Sequence, residues 1–403
     1  MNEIKEANQT SETNDANKVS VDEIVKIKVI GVGGGGNNTI HSMVKEGIKG
    51  VEFIVANTDE QVLSTSIAHK VLRLGGKDIK GLGAGAKPSE GRKAAIESED
   101  TIRETLKGAD MVIVAAGMGG GTGTGAAPII AKMAKDMGAL TIGIVTTPFS
   151  FEGTQREKNS DEGLKNIRES VDSLIVVSND KLLQQFGGIS LKDSFMYADK
   201  VLKQTVRTIT DLIAVPALIN LDFADVTTIM KDKGSALIGI GRATGEDRAI
   251  KAAAHAISSP ILEASIKGAS YAIINISGGD ITLEEASKAV DTIKQAAGSD
   301  LNIIFGVSIV ENIGKDIQVS VIATGLNNKD PDQLTEDELK VEAAKAIGSL
   351  DIEFENDHTR EILITDPLPE EEKLTINEEV ELQNSPFDIN DEDEDDLPAF
   401  LRS

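Results

Sequence analysis

Two glycine clusters are the residues of this chain best suited to chemistry. Gly31-Val-Gly-Gly-Gly-Gly36 and Gly117-Met-Gly-Gly-Gly-Thr-Gly-Thr-Gly125 each follow a short apolar run and precede a helical pattern. Backbone without Cβ atoms lets a phosphate approach closely, and free N–H groups at a helix start stabilise its negative charge. No Gly-Lys-Ser/Thr follows either cluster, which excludes a P-loop. The clusters therefore predict a phosphate site built from amides and hydroxyls.

The first cluster allows a second interpretation. Gly31, Gly33 and Gly36 satisfy G-x-G-x-x-G, which is typical of an NAD(P)-dependent oxidoreductase. The acidic residue expected about 20 positions later is poorly matched, because Glu52 comes too early and Asp59 too late. The second cluster holds six glycines and two threonines within nine residues and favours a tight anion site over a plain turn.

Candidate acids or bases lie outside the glycine clusters. Neither cluster contains His, Asp or Glu, and the four histidines are scattered along the chain. The segment Asn220-Leu-Asp-Phe-Ala-Asp225 places Asp222 and Asp225 three residues apart, just before a helical run. Taken alone, this pattern predicts a helix N-cap, with general acid or base chemistry as the alternative.

The elements that must position these residues follow a strand–loop–helix order. Alternating strands and helices predict a mostly parallel, Rossmann-like α/β sheet with ligands at the carboxyl ends of its strands. A long buried helix is expected over residues 191–213, and a second α+β domain with four strands beyond it. The predicted strands cover residues 26–31, 51–56, 111–115, 140–145, 174–177, 236–240, 271–276, 303–309 and 317–323, and the predicted helices 37–46, 126–137, 246–257 and 283–297.

Composition excludes several classes of protein. The 403 residues include 41 basic and 66 acidic side chains, a net charge of −25, and no Cys. Disulfides, thiolate metal sites and cysteine nucleophiles are therefore absent, and strong negative charge argues against nucleic-acid binding. The apolar runs are too short for a membrane span and the polar first residues are unlike a signal peptide, which favours a cytosolic protein.

The charge is concentrated in the last part of the chain. Residues 351–403 contain 3 basic and 19 acidic residues, and they lack a sustained apolar period. Such a segment predicts a disordered, extended acidic tail. It closes on Leu397-Pro-Ala-Phe-Leu-Arg402, an apolar cluster that fits either a docking peptide or an incidental apolar end.

The second glycine cluster and its flanks resemble the signature loop of the tubulin/FtsZ family. Stretches similar to that family recur over residues 27–325, and they are Ala116-Gly-Met-Gly-Gly-Gly-Thr-Gly-Thr-Gly-Ala-Ala-Pro128, Val29-Ile-Gly-Val-Gly-Gly-Gly-Gly-Asn37, Asn57-Thr-Asp59, Gly81-Leu-Gly-Ala-Gly85, Phe151-Glu-Gly153, Asn179-Asp-Lys-Leu-Leu183 and Asn220-Leu-Asp-Phe-Ala-Asp225. The resemblance implies six regions: an N-terminal disordered arm (1–24), a GTP-binding domain (25–190), a central helix with the synergy loop (191–222), a C-terminal α+β domain (223–326), an acidic linker (327–396) and a partner-binding peptide (397–403).

The same resemblance implies a set of GTP-binding residues. Phosphate contacts are expected from both glycine loops, ribose and phosphate contacts from two charged residues, and guanine contacts from three more. These residues are Gly34, Gly35, Gly36, Asn37, Asn38, Gly119, Gly120, Gly121, Thr122 and Gly123, then Glu152 and Arg156, then Asn179, Phe195 and Asp199. Without the resemblance, Glu152 and Arg156 indicate a surface i,i+4 ion pair and Phe195 an ordinary core residue. Phe195 and Asp199, four apart, share one helix face.

The implied activity is GTP hydrolysis by a polymer. Asp222 and Asp225, assisted by Asn220, would act on the GTP of the next subunit, with Mg²⁺ bound through the phosphates and no metal ligand from the chain. Subunits would join head to tail into filaments that scaffold the bacterial division ring, in the cytoplasm at midcell, with membrane adaptors and regulators on residues 397–402. A filament protein without turnover is the alternative. One departure is Ala217, where the family has Gly.

Overall fold

The computed structural model describes residues 25–48, 50–76, 81–185, 191–214, 222–259, 265–298, 301–310 and 313–326. The predictions for the N-terminal arm, for Ala217 and Asn220, and for the acidic tail with its terminal peptide lie outside the described residues. The predicted domain boundaries stay predictions.

Ten strands and eleven helices are assigned within this part of the chain. The strands are β1 (Ile27–Val32), β2 (Val51–Asn57), β3 (Lys70–Arg73), β4 (Met111–Gly117), β5 (Leu140–Thr147), β6 (Ser173–Ser178), β7 (Gly234–Ala243), β8 (Tyr271–Gly278), β9 (Asn302–Ile309) and β10 (Ile317–Thr324). The helices are α1 (Gly33–Lys45), α2 (Glu60–Ser64), α3 (Pro88–Glu97), α4 (Glu99–Leu106), α5 (Thr122–Asp136), α6 (Thr154–Arg168), α7 (Asn179–Gln185), α8 (Leu191–Ala214), α9 (Phe223–Met230), α10 (Arg248–Ile257) and α11 (Leu283–Ala297).

The strands form one sheet in the order β3-β2-β1-β4-β5-β6-β7-β10-β8-β9. The first six are parallel, and β7 continues from β6 through only three residue pairs. β10 is antiparallel to both β7 and β8, whereas β9 is parallel to β8. The predicted α/β class, with a long helix and a second four-stranded part, is confirmed. The second part extends the same sheet.

Burial explains why the central strands read as unbroken apolar runs. Every residue of β1 is buried, as are the first six of β4, because helices cover both faces of this part of the sheet. One core surrounds α5 and another lies between β7–β10 and helices α10 and α11. Each half of the sheet therefore has its own core.

Two predicted helix starts are wrong by four residues. α1 begins at Gly33 and α5 at Thr122, whereas apolar spacing placed the starts at residues 37 and 126. Glycine carries no side chain that contributes to periodicity, so the spacing misses the glycine turns that already belong to each helix. Each glycine cluster thus forms the helix amino terminus itself.

Helix α8 connects the two halves. Its 24 residues correspond to about 36 Å, longer than any strand of the sheet. Within the part of the chain that the structure describes, no helix is both long and apolar enough to cross a membrane.

Candidate functional site

The two glycine clusters meet at the carboxyl edge of the parallel strands. β1 and β4 are neighbours in register, with Val32 opposite Ala116, so the loops that follow them emerge side by side. A Cβ atom on Gly33 would lie 2.7 Å from the backbone nitrogen of Gly123, and Gly33 has a φ of +73°. Only glycine fits this contact, which brings the amino ends of α1 and α5 together.

The predicted phosphate-binding glycines divide into two groups. A Cβ on Gly34 or Gly120 would meet no heavy atom within 4 Å, so their backbone faces open space. A Cβ on Gly36, Gly121 or Gly123 would come within 2.3 to 2.8 Å of neighbouring atoms. The first group leaves room for an anion, and the second is required by packing.

Two predicted polar ligands are engaged within the protein. Asn37 is fully buried, and with its amide nitrogen facing the loop it donates to the carbonyl oxygens of Gly31 (2.9 Å) and Gly33 (3.0 Å). The hydroxyl of Thr122 shares a 2.7 Å hydrogen bond with that of Thr58. Gly35 and Asn38, by contrast, are exposed beside Gly34.

The second loop is supported by residues that the sequence patterns did not single out. The Nδ2 of Asn159 on α6 donates to the carbonyl oxygens of Gly119 (3.2 Å) and Ala86 (3.3 Å). The Gly119 N–H donates to Thr124 Oγ1 at 2.9 Å, and Gly119 has a φ of +98°. Thr58 lies in the stretch Asn57-Thr-Asp59 and could have been found, but no sequence pattern connects Asn159 with Gly119, 40 residues away.

The charged pair Glu152 and Arg156 lies beside this loop. Glu152 forms an ion pair with Arg156, and its other oxygen accepts a 2.9 Å hydrogen bond from the Phe149 N–H. The predicted i,i+4 ion pair is therefore present. The Arg156 side chain stays 51% exposed and lies within reach of solutes.

Three aromatic rings border the same edge. Phe149 is buried, packs edge to face with Phe195 at 5.1 Å and stacks on Phe151 at 5.0 Å. Phe195, at the start of α8, is 42% exposed, so its interpretation as an ordinary core residue is wrong. An exposed ring held at a fixed angle by a buried one is suited to stacking against a flat ligand.

Asn179 is buried and Asp199 is partly buried. Asn179, the first residue of α7, is 5% exposed, and its Oδ1 has no hydrogen-bond partner among the described residues. Burial raises the pKa of Asp199 to about 6, against an opposing effect of a hydrogen bond from Thr39 on α1. The Asn179 Oδ1 thus retains unused capacity to accept a hydrogen bond, and Asp199 lies beside α1, the helix that the first glycine cluster begins.

Asp222 and Asp225 lie at the amino end of α9, away from the glycine loops. Asp222 is exposed and caps α9, accepting a 2.7 Å hydrogen bond from the Asp225 N–H, which confirms the N-cap interpretation. At the other end of α9 the Met230 carbonyl accepts from Ser173, the first residue of β6. α9 therefore lies at the amino edge of the parallel strands, opposite the glycine loops.

No residue cluster for a metal ion is present among the described residues, counting groups of three or more His, Cys, Asp or Glu. Amides and hydroxyls at two helix amino ends bind anions rather than cations. A cation at this site would therefore have to be held by the bound anion.

Comparisons with known proteins show the family of this chain. Residues 26–187 match the model of the tubulin/FtsZ family GTPase domain, and residues 234–327 that of the FtsZ family C-terminal domain. The chain is 57% identical over 377 residues to the cell division protein FtsZ of Mycoplasmopsis pulmonis, covering 93% of this chain and 96% of that protein.

Two solved structures are similar in fold. An empty FtsZ dimer from M. jannaschii has a TM-score of 0.72 at 42% identity, over 75% of this chain and 89% of that one. A GTPγS-bound protofilament of CetZ2 from Haloferax volcanii has a TM-score of 0.66 at 20% identity, over 80% of this chain and 98% of that one. The second likeness concerns the fold alone.

Proposed function

The chain belongs to the tubulin/FtsZ family and is a filament-forming GTPase of cell division, and from this premise we propose how its residues divide the work. GTP binds where the two glycine loops meet, and hydrolysis requires Asp222 and Asp225 of a second copy. The family assignment supports GTPase activity over both alternatives raised by the sequence, an NAD(P)-dependent oxidoreductase and a filament protein without turnover.

The nucleotide side of the site uses groups left free in the fold. The backbone around Gly34, Gly35 and Gly120 receives the phosphates, because Gly34 and Gly120 face open space and Gly35 is exposed beside them, at two helix amino ends. Gly36, Gly119, Gly121 and Gly123 shape the two loops, while Asn38, Glu152 and Arg156 border them. Phe195 stacks on the base, and Asn179 and Asp199 read its polar edge. A carboxylate accepts two N–H donors from guanine, which adenine does not offer there.

The observation that carries the proposal is the placement of Asp222 and Asp225 at the opposite edge from the glycine loops. A side chain on α9 reaches a GTP only if the amino edge of one subunit stacks on the carboxyl edge of the next. Asp225 and Asp222 then orient and polarise the attacking water, with Asn220 assisting. This head-to-tail contact repeats without closing and gives an open filament.

The described part of the site suits a Mg²⁺ ion that is held through the nucleotide. The loops offer amides and hydroxyls, and the described residues hold no carboxylate cluster for a metal. We infer that a Mg²⁺ ion held through the nucleotide would supply charge neutralisation for phosphoryl transfer. The chain's own contribution is to hold the phosphates and to exclude other orientations of the water.

A mixing experiment tests the shared site. Gly120→Asp places a carboxylate in the open space of the phosphate site, and Asp225→Ala removes the proposed acid. Each variant alone should lack GTP turnover, and their equimolar mixture should recover it, because the Asp225→Ala pocket faces the intact α9 of its neighbour. Phosphate release is measured against total protein concentration. A mixture as inactive as its components would contradict hydrolysis in trans.

Asp222 needs a matched control because it also caps α9. Asparagine is an equally good N-cap, so Asp222→Asn removes only the charge, whereas Asp222→Ala removes both. We expect Asp222→Asn to lose turnover with an unchanged melting temperature. Full activity in Asp222→Asn would restrict this residue to capping.

We further propose that the filament lies at the midcell division ring, on the cytoplasmic face of the membrane. The acidic segment then acts as an extended tether, and residues 397–402 bind membrane adaptors and regulators. Deletion of residues 397–403 should spare polymerisation and GTP turnover and abolish adaptor binding in a co-sedimentation assay. An unchanged adaptor affinity would reject the docking-peptide role.

A further inference from the structure

The carboxyl end of α9 is held by hydroxyl groups from both halves of the sheet. Ser173 Oγ, at the start of β6, donates to the Met230 carbonyl at 2.6 Å. Thr324 Oγ1, at the end of β10, donates to the Ile229 carbonyl at 2.7 Å. Both hydroxyl-bearing residues have no exposed surface. The last carbonyls of a helix lack partners within it, so these two hydroxyls fix the helix end to two separate strands.

The chain that leaves α9 is fixed at the same place. The N–H groups of Lys233 and Gly234 both donate to the Asp172 carbonyl at 2.9 Å. The Lys135 ammonium bridges the carboxylates of Asp172 (3.0 Å) and Asp232 (2.8 Å). Asp172 is itself 2% exposed, and its second oxygen accepts from the Thr141 N–H. The exit from α9 is therefore restrained from several directions.

The amino end of α9 has a different environment. Asp222 and Ala224 are exposed and Asp225 is half-buried, while Val226, Ile229 and Met230 beneath them are fully buried. The helix thus projects its two carboxylates from a base that is fixed at the other end. Its eight residues correspond to about 12 Å, so a tilt of about 5° at the base would move the carboxylates by about 1 Å.

We propose that Ser173 and Thr324 are positioning residues for GTP hydrolysis in the neighbouring subunit. Each fixes one carbonyl at the base of α9, and together they set where Asp222 and Asp225 reach the neighbour's phosphates. The inference rests on the proposed shared site. It matters energetically because an error of about 1 Å in a reacting group can lower a rate by roughly a hundredfold.

The test places one substitution on either side of the shared site. Thr324→Val keeps the shape of the side chain and removes the hydroxyl. In the double variant with Gly120→Asp, Thr324→Val lies in the subunit that supplies α9. In the double variant with Asp225→Ala, Thr324→Val lies in the subunit that supplies the nucleotide pocket. Each is mixed with the unmodified partner variant, and kcat and KM for GTP are measured.

We expect Thr324→Val to lower kcat at least tenfold on the α9 side, with KM unchanged, and to have no effect on the pocket side. Thr324→Ser retains the hydroxyl and should restore the rate. Thr292→Val is the matched control, because Thr292 is a buried threonine of α11 whose hydroxyl donates to the Lys288 carbonyl at 2.7 Å. Equal losses on both sides would indicate a general structural effect and overturn the inference.

Two outcomes separate this inference from the function on which it rests. If the starting mixture of Gly120→Asp and Asp225→Ala is inactive, the shared site is wrong. If that mixture is active and Thr324→Val on the α9 side matches it, only the positioning role is wrong. Ser173→Ala removes the other hydroxyl and repeats the test independently, should Thr324→Val fail to fold.

Discussion

The two halves of the sheet differ in whether they leave polar groups open or unpaired. In the half formed by β1–β6, the Asn179 Oδ1 has no partner among the described residues, and Gly34 and Gly120 face open space. In the half formed by β7–β10, Arg248 pairs with Glu285 (2.7 Å) and Asp280 (2.8 Å), and Arg242 pairs with Asp316 (2.8 Å).

The pKa values of Asp199 and Glu285 show the same difference between the two halves. Burial raises the pKa of Asp199 to about 6, whereas the hydrogen bond from Arg248 lowers the pKa of Glu285 to about 2. A polar group left unpaired in a protein interior costs free energy, and it persists where a ligand completes it. The first half therefore combines satisfied ion pairs, such as Lys135 with Asp172, with open and unpaired groups that suit a ligand, whereas the described ion pairs of the second half are satisfied within the protein.

The largest expected effect is on the open glycine backbone. Gly120→Asp should weaken GTP binding at least a hundredfold, because its carboxylate would occupy and repel the phosphate site. The melting temperature should stay within about 2 °C, since a surface substitution without contacts changes stability by about 0.5 kcal/mol or less. Titration with a fluorescent GTP analogue and calorimetry check both. A comparable loss of stability would contradict the division of the glycines into open and packing groups.

The second-largest effect is expected at Asp199, where GTP affinity should depend on pH. Guanine donors need the ionised carboxylate, so GTP affinity should fall as pH drops below about 6, up to about tenfold per pH unit. Asp199→Asn should bind roughly ten- to a hundredfold more weakly at pH 7.5 and lose this pH dependence. Isothermal titration between pH 5 and pH 8 measures it.

The stability of the same variant gives the sign of the effect. The pKa of Asp199 in the folded state lies above its ordinary value of 3.8. Its protonation therefore stabilises the folded state fully below pH 3.8, and this stabilisation is lost as the pH rises through about 6. Asp199→Asn should therefore unfold at an equal or higher temperature at pH 7.5. A clear destabilisation would show that Asp199 belongs to the scaffold.

In the half of the sheet formed by β7–β10, we expect a smaller effect, on stability and not on GTP binding. Arg248→Met removes the donor for Glu285 and Asp280 and should lower the free energy of unfolding by about 2 kcal/mol. GTP affinity should not change. Urea unfolding and nucleotide titration on the same sample provide the comparison. A change in affinity without a change in stability would refute the proposed separation of the halves.

The smallest expected effect concerns one helix cap. Thr282 accepts from the Glu285 N–H and Glu285 in turn accepts from the Thr282 N–H, a reciprocal capping box at the start of α11. Thr282→Ala should cost about 1 kcal/mol of stability, and Thr282→Ser almost none. Thermal unfolding of the two variants side by side measures the difference, and an equal cost for both would rule out the cap.

Much of this organisation was predictable from the sequence. Apolar runs located nine of the ten described strands and missed β3, and the glycine clusters after β1 and β4 predicted a phosphate site, because both signals are local. Other features are long-range properties. They are the hydrogen bonds of Asn37 to the first glycine loop, the hydrogen bond of Asn159 to Gly119, and the distance of α9 from the glycine loops. They depend on strand order and helix placement, which no spacing along the chain encodes.

The separation of the glycine loops from α9 has a consequence for the timing of hydrolysis under the proposed shared site. A free subunit would not hydrolyse the GTP that it carries, because its own Asp222 and Asp225 lie at the opposite edge of the sheet. Hydrolysis would start only when a neighbour arrives, and a terminal subunit with an uncovered pocket would keep its GTP. The ratio of GTP to GDP along a filament would then report how long each junction has existed.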